Sequence, residues 1–344
     1  MEITLKNVAE KVGVSLATVS MVLNDKPGIS LATRERVMTA VRDLGYTISP
    51  LKQTFGQNNG NLQLIIFRKH GKIVSDTPFF QTLIEGIESK ARHNSYQLTI
   101  KYISAETNMS DLTADLQKYG TDGILLLGTE IVESDLQPFM SLRLPVLLLD
   151  TYFIASQICS VVIDNIEGSF LGIRHLLENG IRKIGYLKSS LPIQNFYNRY
   201  EGYTKALTEN KISVDPKFTV SLQPVLDGAY EDMRLYLQKK PALPEAFLAD
   251  NDIIAFGAAK ALREKGYRIP EDVSLIGFDD VPFSSMMDPP LTTIRVDKKV
   301  FGQLAVEKMI DMIGKSHIYP VRTVLSVSLI SRKSVKNFTN RNSP

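Results

Sequence analysis

A single cysteine, Cys159, is all the thiol chemistry in the chain. One thiol cannot close an internal disulfide, so stability must come from packed cores, and the usage fits a reducing cytoplasm. Cys159 itself reads as a small core hydrophobe. No run of about 18 apolar residues occurs, which excludes a helical membrane span. The start Met1-Glu2-Ile3-Thr4 lacks the basic-then-apolar layout of a secretion signal. The four histidines (His70, His93, His175 and His317) stand far apart without metal-ligand spacing, and no metal or other cofactor is expected. Neither a Gly-x-x-x-x-Gly-Lys phosphate loop nor a Gly-x-Ser-x-Gly elbow is found, so no motif marks an enzyme. A strong charge of either sign is lacking too. The net +3 permits nucleic-acid binding without arguing for it.

What is present starts at once. Residues 4–46 read as three short helices, about Leu5 to Val12, Ser15 to Leu23 and Leu31 to Leu44, the last stopping at Gly45. Ser15 and Ser30 suit the N-cap positions of the second and third helices. Ala9 is small where two helices must cross closely, and Gly13 supplies the positive φ of a tight turn. Val8, Val12, Val14, Val19 and Val22 fill the wedge between the helices. This spacing specifies a helix-turn-helix, whose second helix enters the major groove, in preference to a generic three-helix bundle. The outward residues Leu16, Ala17, Ser20 and Met21 would then reach base edges. They include no arginine or asparagine for bidentate reading, so thymine methyl groups are the expected contacts. Thr4, Leu5, Ser15, Asn24, Ser30 and Thr33 would contribute DNA contacts and backbone positioning.

At these residues the chain resembles the LacI/GalR family of bacterial repressors. The similarity is carried by Thr4-Leu5-Lys6-Asn7-Val8-Ala9, Gly13-Val14-Ser15, Thr18-Val19-Ser20, Leu23-Asn24 and Thr33-Arg34-Glu35-Arg36-Val37 leading to Leu44-Gly45-Tyr46. It continues to about Arg332. The resemblance implies a hinge after the head that becomes a short helix on DNA and pries open a base step from the minor groove. Phe55 stands where the family has leucine, and phenylalanine can wedge equally well. Two departures accompany it: the usual proline is shifted to Pro50, and Lys52 replaces a small residue where paired hinges approach. Residues 57–61 read as a polar linker.

From residue 62 onward short apolar runs alternate with helical patterns. Strands are expected at 62–67, 97–103, 123–127 and 146–150, then in a second series at 160–163, 183–187, 246–249 and 274–277. Helices are expected near 79–93 and 109–118, then near 168–179, 199–210, 229–239 and 252–265. Such alternation predicts parallel sheets covered on both faces. The expected fold is thus a small all-α helix-turn-helix head plus an α/β body of two doubly wound lobes, resembling periplasmic sugar-binding proteins. The expected organisation is a head at 1–46, a hinge helix and linker at 47–61, a body at 62–335 and a polar tail at 336–344 without leucine heptads. Within the body, the first lobe takes about 62–160 plus 293–321, and the second about 161–292 plus 322–335.

Ligands in such sheets sit beyond the carboxyl ends of the strands. The polar residues there are Asp150, Asn251, Asp252, Asp279 and Asp280, with Arg199 expected to open a helix. Carboxylates and a guanidinium beside aromatics suit sugar hydroxyls, and Phe79 and Phe80 could face a sugar ring. Plainer roles exist: Asp252 as a helix N-cap, Asp280 as a loop anchor, Phe80 as core. The resemblance places Asp150, Arg199, Asn251 and Asp279 at effector-contacting positions, and Asn195 is counted with them. Val296 and Lys298 depart from the family pattern. The resemblance also implies a homodimer pairing through 79–93 and 255–266, hence a palindromic operator on double-stranded DNA. The function expected is a transcription regulator, a repressor, switched by a small carbohydrate or related molecule. Two readings compete with it: the same kind of regulator answering to a phosphoprotein corepressor, and a sugar-binding receptor with no DNA role.

Overall fold

A computed structural model describes residues 5–23, 29–44, 59–74, 78–315 and 317–336. The chain divides into two compact units, Met1–Asn59 and Gly60–Pro344.

The first unit holds α1 (Leu5–Val12), α2 (Leu16–Leu23) and α3 (Leu31–Asp43). Ser15 Oγ accepts from the Thr18 amide at 3.1 Å, and Ser30 Oγ from the Thr33 amide at 3.2 Å. Each hydroxyl satisfies an amide that a first helical turn leaves unpaired. Gly13 takes φ +72°. That left-handed turn lets the Gly13 and Val14 amides both bond the Ala9 carbonyl, at 2.9 and 3.1 Å, and so ends α1. Val8, Ala9, Val12, Val19, Val22, Val37, Ala40 and Val41 form the core of the unit. Arg36 and Arg34 donate to the carbonyls of Val12 and Val22, at 2.7 and 3.4 Å. Both carbonyls lie in last helical turns, where a cation also meets the negative end of the helix dipole.

In the second unit the chain builds one lobe, then another, and then revisits both. The first lobe begins with β1 (Gly60–Phe67), α4 (Pro78–His93), β2 (Tyr96–Ile103) and α5 (Met109–Lys118). It continues with β3 (Thr121–Leu127), α6 (Gln137–Met140), β4 (Val146–Leu149) and β5 (Cys159–Ile163). The second lobe begins with α7 (Asn165–Glu178), β6 (Ile184–Ser189), α8 (Gln194–Glu209), β7 (Thr219–Leu222) and α9 (Leu226–Gln238). Then come β8 (Ala246–Ala249), α10 (Asp252–Glu264), β9 (Ser274–Asp279) and β10 (Thr292–Arg295). Finally α11 (Lys298–Met312) and β11 (Arg322–Leu325) rejoin the first lobe and β12 (Ser328–Ile330) the second.

Among the described residues the sheets have the orders β11-β5-β4-β3-β1-β2 and β12-β10-β9-β8-β6-β7. Every pairing is parallel except that of β10 with β12. Parallel strands buried on both faces need apolar residues on both. In β1, Leu62, Leu64 and Ile66 pack toward α4 and α11, while Ile65 and Phe67 pack toward α5 and α6. The second sheet is covered by α9 and α10 on one face and by α7 and α8 on the other.

The sequence-based lobe boundaries need correction. β5, read as opening the second series, pairs with β4 and β11 in the first sheet, and β10, assigned to the first lobe, pairs with β9 in the second. Likewise β11, in the stretch given to the second lobe, belongs to the first sheet. Periodicity identifies a strand but does not name its hydrogen-bond partner. Four strands (β7, β10, β11 and β12) and two helices, the short α6 and α11, have no counterpart in the sequence-based series. The strands are three or four residues long, and the buried stripe of α11 includes Lys298 and Gly302, which mask it. α8 begins at Gln194, so Arg199 lies in its second turn and does not open the helix.

α4 and α11 cross with backbone against backbone. A Cβ on Gly302 would stand 2.4 Å from the Leu83 carbonyl oxygen, and one on Gly86 2.4 Å from that of Lys299. Neither backbone can give way cheaply. Gly302→Ala should therefore lower the unfolding free energy of the body by about 1–3 kcal/mol. Urea denaturation checks this, and an unchanged midpoint would contradict the close crossing.

Candidate functional site

The strand ends of both lobes converge on one cleft. Thr129 and Asp150 come from the first lobe, beyond β3 and β4, while Asn251 follows β8 and Asp279 ends β9. Phe79 and Phe80 of α4 and Asn195, Phe196 and Arg199 of α8 form walls, joined by Ile73 and Ile193. The space at the centre is narrow, about 30 Å³, so an organic ligand enters only if the lobes part or side chains turn.

Arg199 organises the second-lobe side. Its Nε donates to Asn165 Oδ1 at 2.8 Å, one terminal nitrogen to the Asp250 carbonyl at 2.5 Å, and the other to Asp279 Oδ1 at 3.3 Å. The guanidinium also lies 3.7 Å from the centre of the Phe278 ring, and Arg199 is only 4 % exposed. A charge this deep persists only when paired and hydrogen-bonded. Asn165 in turn donates to Asn195 Oδ1 at 3.1 Å, so Asn195 and Arg199, one helical turn apart, share one anchor.

Asp150 faces the cleft from the first lobe. Its Oδ2 accepts from the Thr129 hydroxyl at 2.6 Å, while Oδ1 has no hydrogen-bond partner. Burial pushes the Asp150 carboxyl up to about 6, opposed by the Thr129 hydroxyl, Arg199 and the nearby Asn195 amide. Burial likewise raises Asp279, against the pull of Arg199 and Lys298. Asp150, Asp279 and Asp280 have φ of +68°, +109° and +50°. Left-handed backbone is tolerated by aspartate better than by most residues, and here it turns the carboxylates at strand ends.

Lys298 supports that turn from the other lobe. Its ammonium donates to the carbonyl of Asp279, to that of Asp280 at 3.1 Å and to that of Val296 at 3.2 Å. Burial lowers its pKa, opposed by Asp279, Asp252 and Asp280. Asp280 is the loop anchor its plainer reading described, accepting from Arg332 at 2.6 Å and Arg295 at 2.7 Å. Burial would raise its carboxyl, but the two arginines bring it below the ordinary value.

The N-cap reading of Asp252 fails. Asn251 is the N-cap, its Oδ1 accepting from the Ile254 amide at 2.9 Å. Asp252, fully buried, accepts from the Thr293 hydroxyl at 2.5 Å, the Ser284 hydroxyl at 2.6 Å and the Val281 amide at 2.9 Å. It ties α10 to the loop after β9. Asp250, one residue before the cap, accepts from Tyr186 and from the Ser189 amide, both at 2.5 Å. Burial pushes both carboxyls, Asp250 and Asp252, up to about 7.

The cleft thus gathers Phe79, Phe80, Asp150, Asn195, Arg199, Asn251 and Asp279. Phe80 is at once buried and a lining residue. Sequence reading missed Thr129, Asn165 and Asp250. It also missed Glu130, which accepts the amides of Lys69, His70, Gly71, Ile73 and Val74 and so holds the loop that brings Ile73 to the cleft. Only a polar residue just past the end of an apolar strand signalled Thr129 and Asp250. Of the head residues expected at DNA, Ser15 and Ser30 are exposed, and Thr33 and Met21 are half-buried. Thr4, Asn24, Lys52 and Phe55 lie outside the described residues, as do the side chains of Leu5, Leu16, Ala17 and Ser20. Among the described residues no helix is long and apolar enough to cross a membrane, and no cluster of His, Cys, Asp or Glu is placed to hold a metal.

Comparison with known proteins agrees with this geometry. Residues 4–49 match the bacterial regulatory proteins of the lacI family, and residues 173–335 match the periplasmic binding protein-like domain. The chain is 31% identical to the HTH-type transcriptional repressor PurR of Mannheimia succiniciproducens, covering 97% of this chain and 98% of that one. The chain belongs to the lacI family. A second member, the ribose operon repressor of Haemophilus influenzae, is 30% identical over 96% of this chain and 98% of its own. A lac repressor dimer bound to operator and the anti-inducer ONPF superposes with a TM-score of 0.71 at 25% identity, over 98% of this chain and 100% of that one. This lacI-family protein is a DNA-binding transcription repressor with an effector-binding body, not an enzyme.

The buried carboxyls give its stability a definite pH signature. Folded-state pKa values near 7 for Asp250 and Asp252 exceed those of unfolded aspartate, so the folded body holds protons that the unfolded chain has released. Their contribution is full below about pH 4 and is lost as pH rises through about 7. Thermal midpoints measured from pH 5 to 7.5 should fall less steeply in Asp252→Asn than in the parent. Parallel slopes would show that Asp252 is ionised throughout.

Proposed function

We propose that this repressor binds a palindromic operator as a homodimer and is switched by a small carbohydrate or related molecule in the interlobe cleft. The observation that carries the effector reading is the Arg199–Asp279 pair facing Asp150 across that cleft. Hydroxyl pairs need adjacent donors and acceptors, and the Phe79 and Phe80 rings, 5.1 Å apart edge to face, supply an apolar wall. The site residues are Phe79, Phe80, Asp150, Asn195, Arg199, Asn251 and Asp279. A guanidinium buried in a cleft cannot dock on a protein surface, which favours a small ligand over a phosphoprotein corepressor.

In the head, the proposed DNA contacts come from Thr4, Leu5, Ser15, Leu16, Ala17, Ser20, Met21, Asn24, Ser30 and Thr33, with α2 as recognition helix. The boundaries proposed are a head at 1–46 and a hinge and linker at 47–61, where Phe55 acts as minor-groove wedge and Lys52 lies at the paired approach. Pairing of two copies is supported by apolar surface on the second lobe, where Leu226, Phe283 and Met286 are exposed beside Ile253 and Phe256. The proposed contacts on α10 begin at Ile253, two residues earlier than the sequence suggested. The apolar stripe of α4 is consumed by α11, leaving Gln81, Glu85 and Glu88 as its outward face. The proposed location is the cytoplasm.

Selection from random duplex DNA should return a site of two-fold symmetry, and Met21→Arg should change the preferred half-site. An identical consensus from both proteins would remove Met21 from the reading surface. Separately, Arg199→Ala should weaken effector binding by at least about tenfold while operator affinity without effector persists. An effector response that survives the substitution would move the site elsewhere.

A further inference from the structure

We infer that the cleft selects an uncharged, polyhydroxylated ligand and rejects phosphorylated or otherwise anionic ones, with Asp150 Oδ1 as the acceptor that enforces the choice. This rests on the interlobe cleft being the effector site and specifies what that site admits.

Two cations near the cleft suggest the opposite, but neither is free to take an anion. An ammonium has three hydrogens, and Lys298 directs its donors to the carbonyls of Asp279, Asp280 and Val296. Arg199 spends Nε and one bond from each terminal nitrogen on Asn165, Asp250 and Asp279. Its charge is already met by the Asp279 carboxylate. The hydrogens left on its terminal nitrogens can donate to the hydroxyl oxygens of a ligand.

The acceptors outnumber these cations. Asp150, Asp250, Asp252 and Asp279 are all buried within the same strand-end cluster, against Arg199 and Lys298. Asp250 and Asp252 are bonded by hydroxyls and amides alone, with no cationic hydrogen-bond partner. An arriving phosphate would place its negative charge beside the Asp279 carboxylate, which Arg199 already pairs, in a site that excludes water, where like charges repel strongly.

Asp150 supplies the second, independent observation. Its Oδ1 is buried and has no partner, yet the residue lines the cleft. A buried acceptor without a donor is costly, and a ligand that brings one recovers that free energy. A hydroxyl group donates to Asp150 and accepts from Arg199 with its own oxygen. A phosphate dianion has acceptors only, so that group cannot satisfy Asp150, and an ester serves Asp150 only through its remaining hydroxyls. Of the remaining lining, Asn195 and Asn251 carry side-chain amides, while Ile73, Phe79, Phe80 and Phe196 are apolar and suit the C–H face of a sugar ring.

The test is calorimetry on the full chain with matched pairs: ribose and ribose 5-phosphate, glucose and glucose 6-phosphate, adenosine and its 5′-monophosphate. An uncharged member is expected to bind, with its phosphate ester at least about a hundredfold weaker. Asp150→Asn should weaken the uncharged ligand at least about tenfold and shrink the gap to its ester. An ester that binds as well as its parent, and loses binding in Arg199→Ala, would overturn this inference while keeping the cleft as effector site. A ligand indifferent to both Arg199→Ala and Asp150→Asn would overturn the cleft itself. Failure of every uncharged member to bind also defeats the inference. The ester-to-parent ratio in the unsubstituted protein decides the matter even if a variant folds poorly.

Discussion

The buried guanidinium of Arg199 is the constraint on which the body depends. It joins α7 through Asn165, the end of β8 through the Asp250 carbonyl and the end of β9 through Asp279, and it stacks on Phe278. An arginine held this far from water is tolerable only when its charge is paired and its guanidinium is hydrogen-bonded. The elements that engage it are therefore fixed relative to one another, and α8 must meet the sheet at the height where Asn195 and Arg199 reach the strand ends. Removing a partner from so buried a group typically costs about 3–5 kcal/mol. The cleft is a stable feature of the second lobe because dismantling it would strand a charge.

The connection to the first lobe runs through the places where the chain crosses. Lys298 lies on the first-lobe side of one crossing and holds the backbone of Asp279 and Asp280 from behind. Asp280 gathers Arg295 and Arg332, on β10 and just beyond β12. The turn that presents Asp279 to the cleft is thus tied to β10 and to the segment just beyond β12. Under the proposed reading, a ligand touching Asp150 on one lobe and Arg199 on the other binds closed lobes better than open ones. That difference in affinity is the only currency in which an effector can shift a conformational equilibrium.

Much of this was readable in advance where local chemistry decides. The Val8, Val12, Val19 and Val22 wedge, the Gly13 turn and the Ser15 and Ser30 caps concern residues within a few positions of each other, and the helices followed. Asp150 and Asp279 were legible as strand-end carboxylates because a charged residue stands out at the close of an apolar strand. Asp252 was misread for an instructive reason. A capping residue and its neighbour look alike in sequence, and only the partners Ser284 and Thr293, some 30 to 40 residues away, separate them. Lys298 looked like a departure from a pattern, and its role emerged only once three carbonyls were seen around it.

By itself, then, the sequence determined the alternation of elements, the helix-turn-helix head and the residue types at the strand ends. These follow from periodicity, caps and turns, which act over one or two helical turns. Tertiary structure alone decided which sheet each strand joined, since hydrogen-bond partners lie far apart in the chain. It also decided that Lys298 faces carbonyls, that Asp250 and Asp252 are satisfied without a cation, and that Asp150 keeps one oxygen open. Those outcomes depend on burial and on distant donors, and a linear sequence records neither.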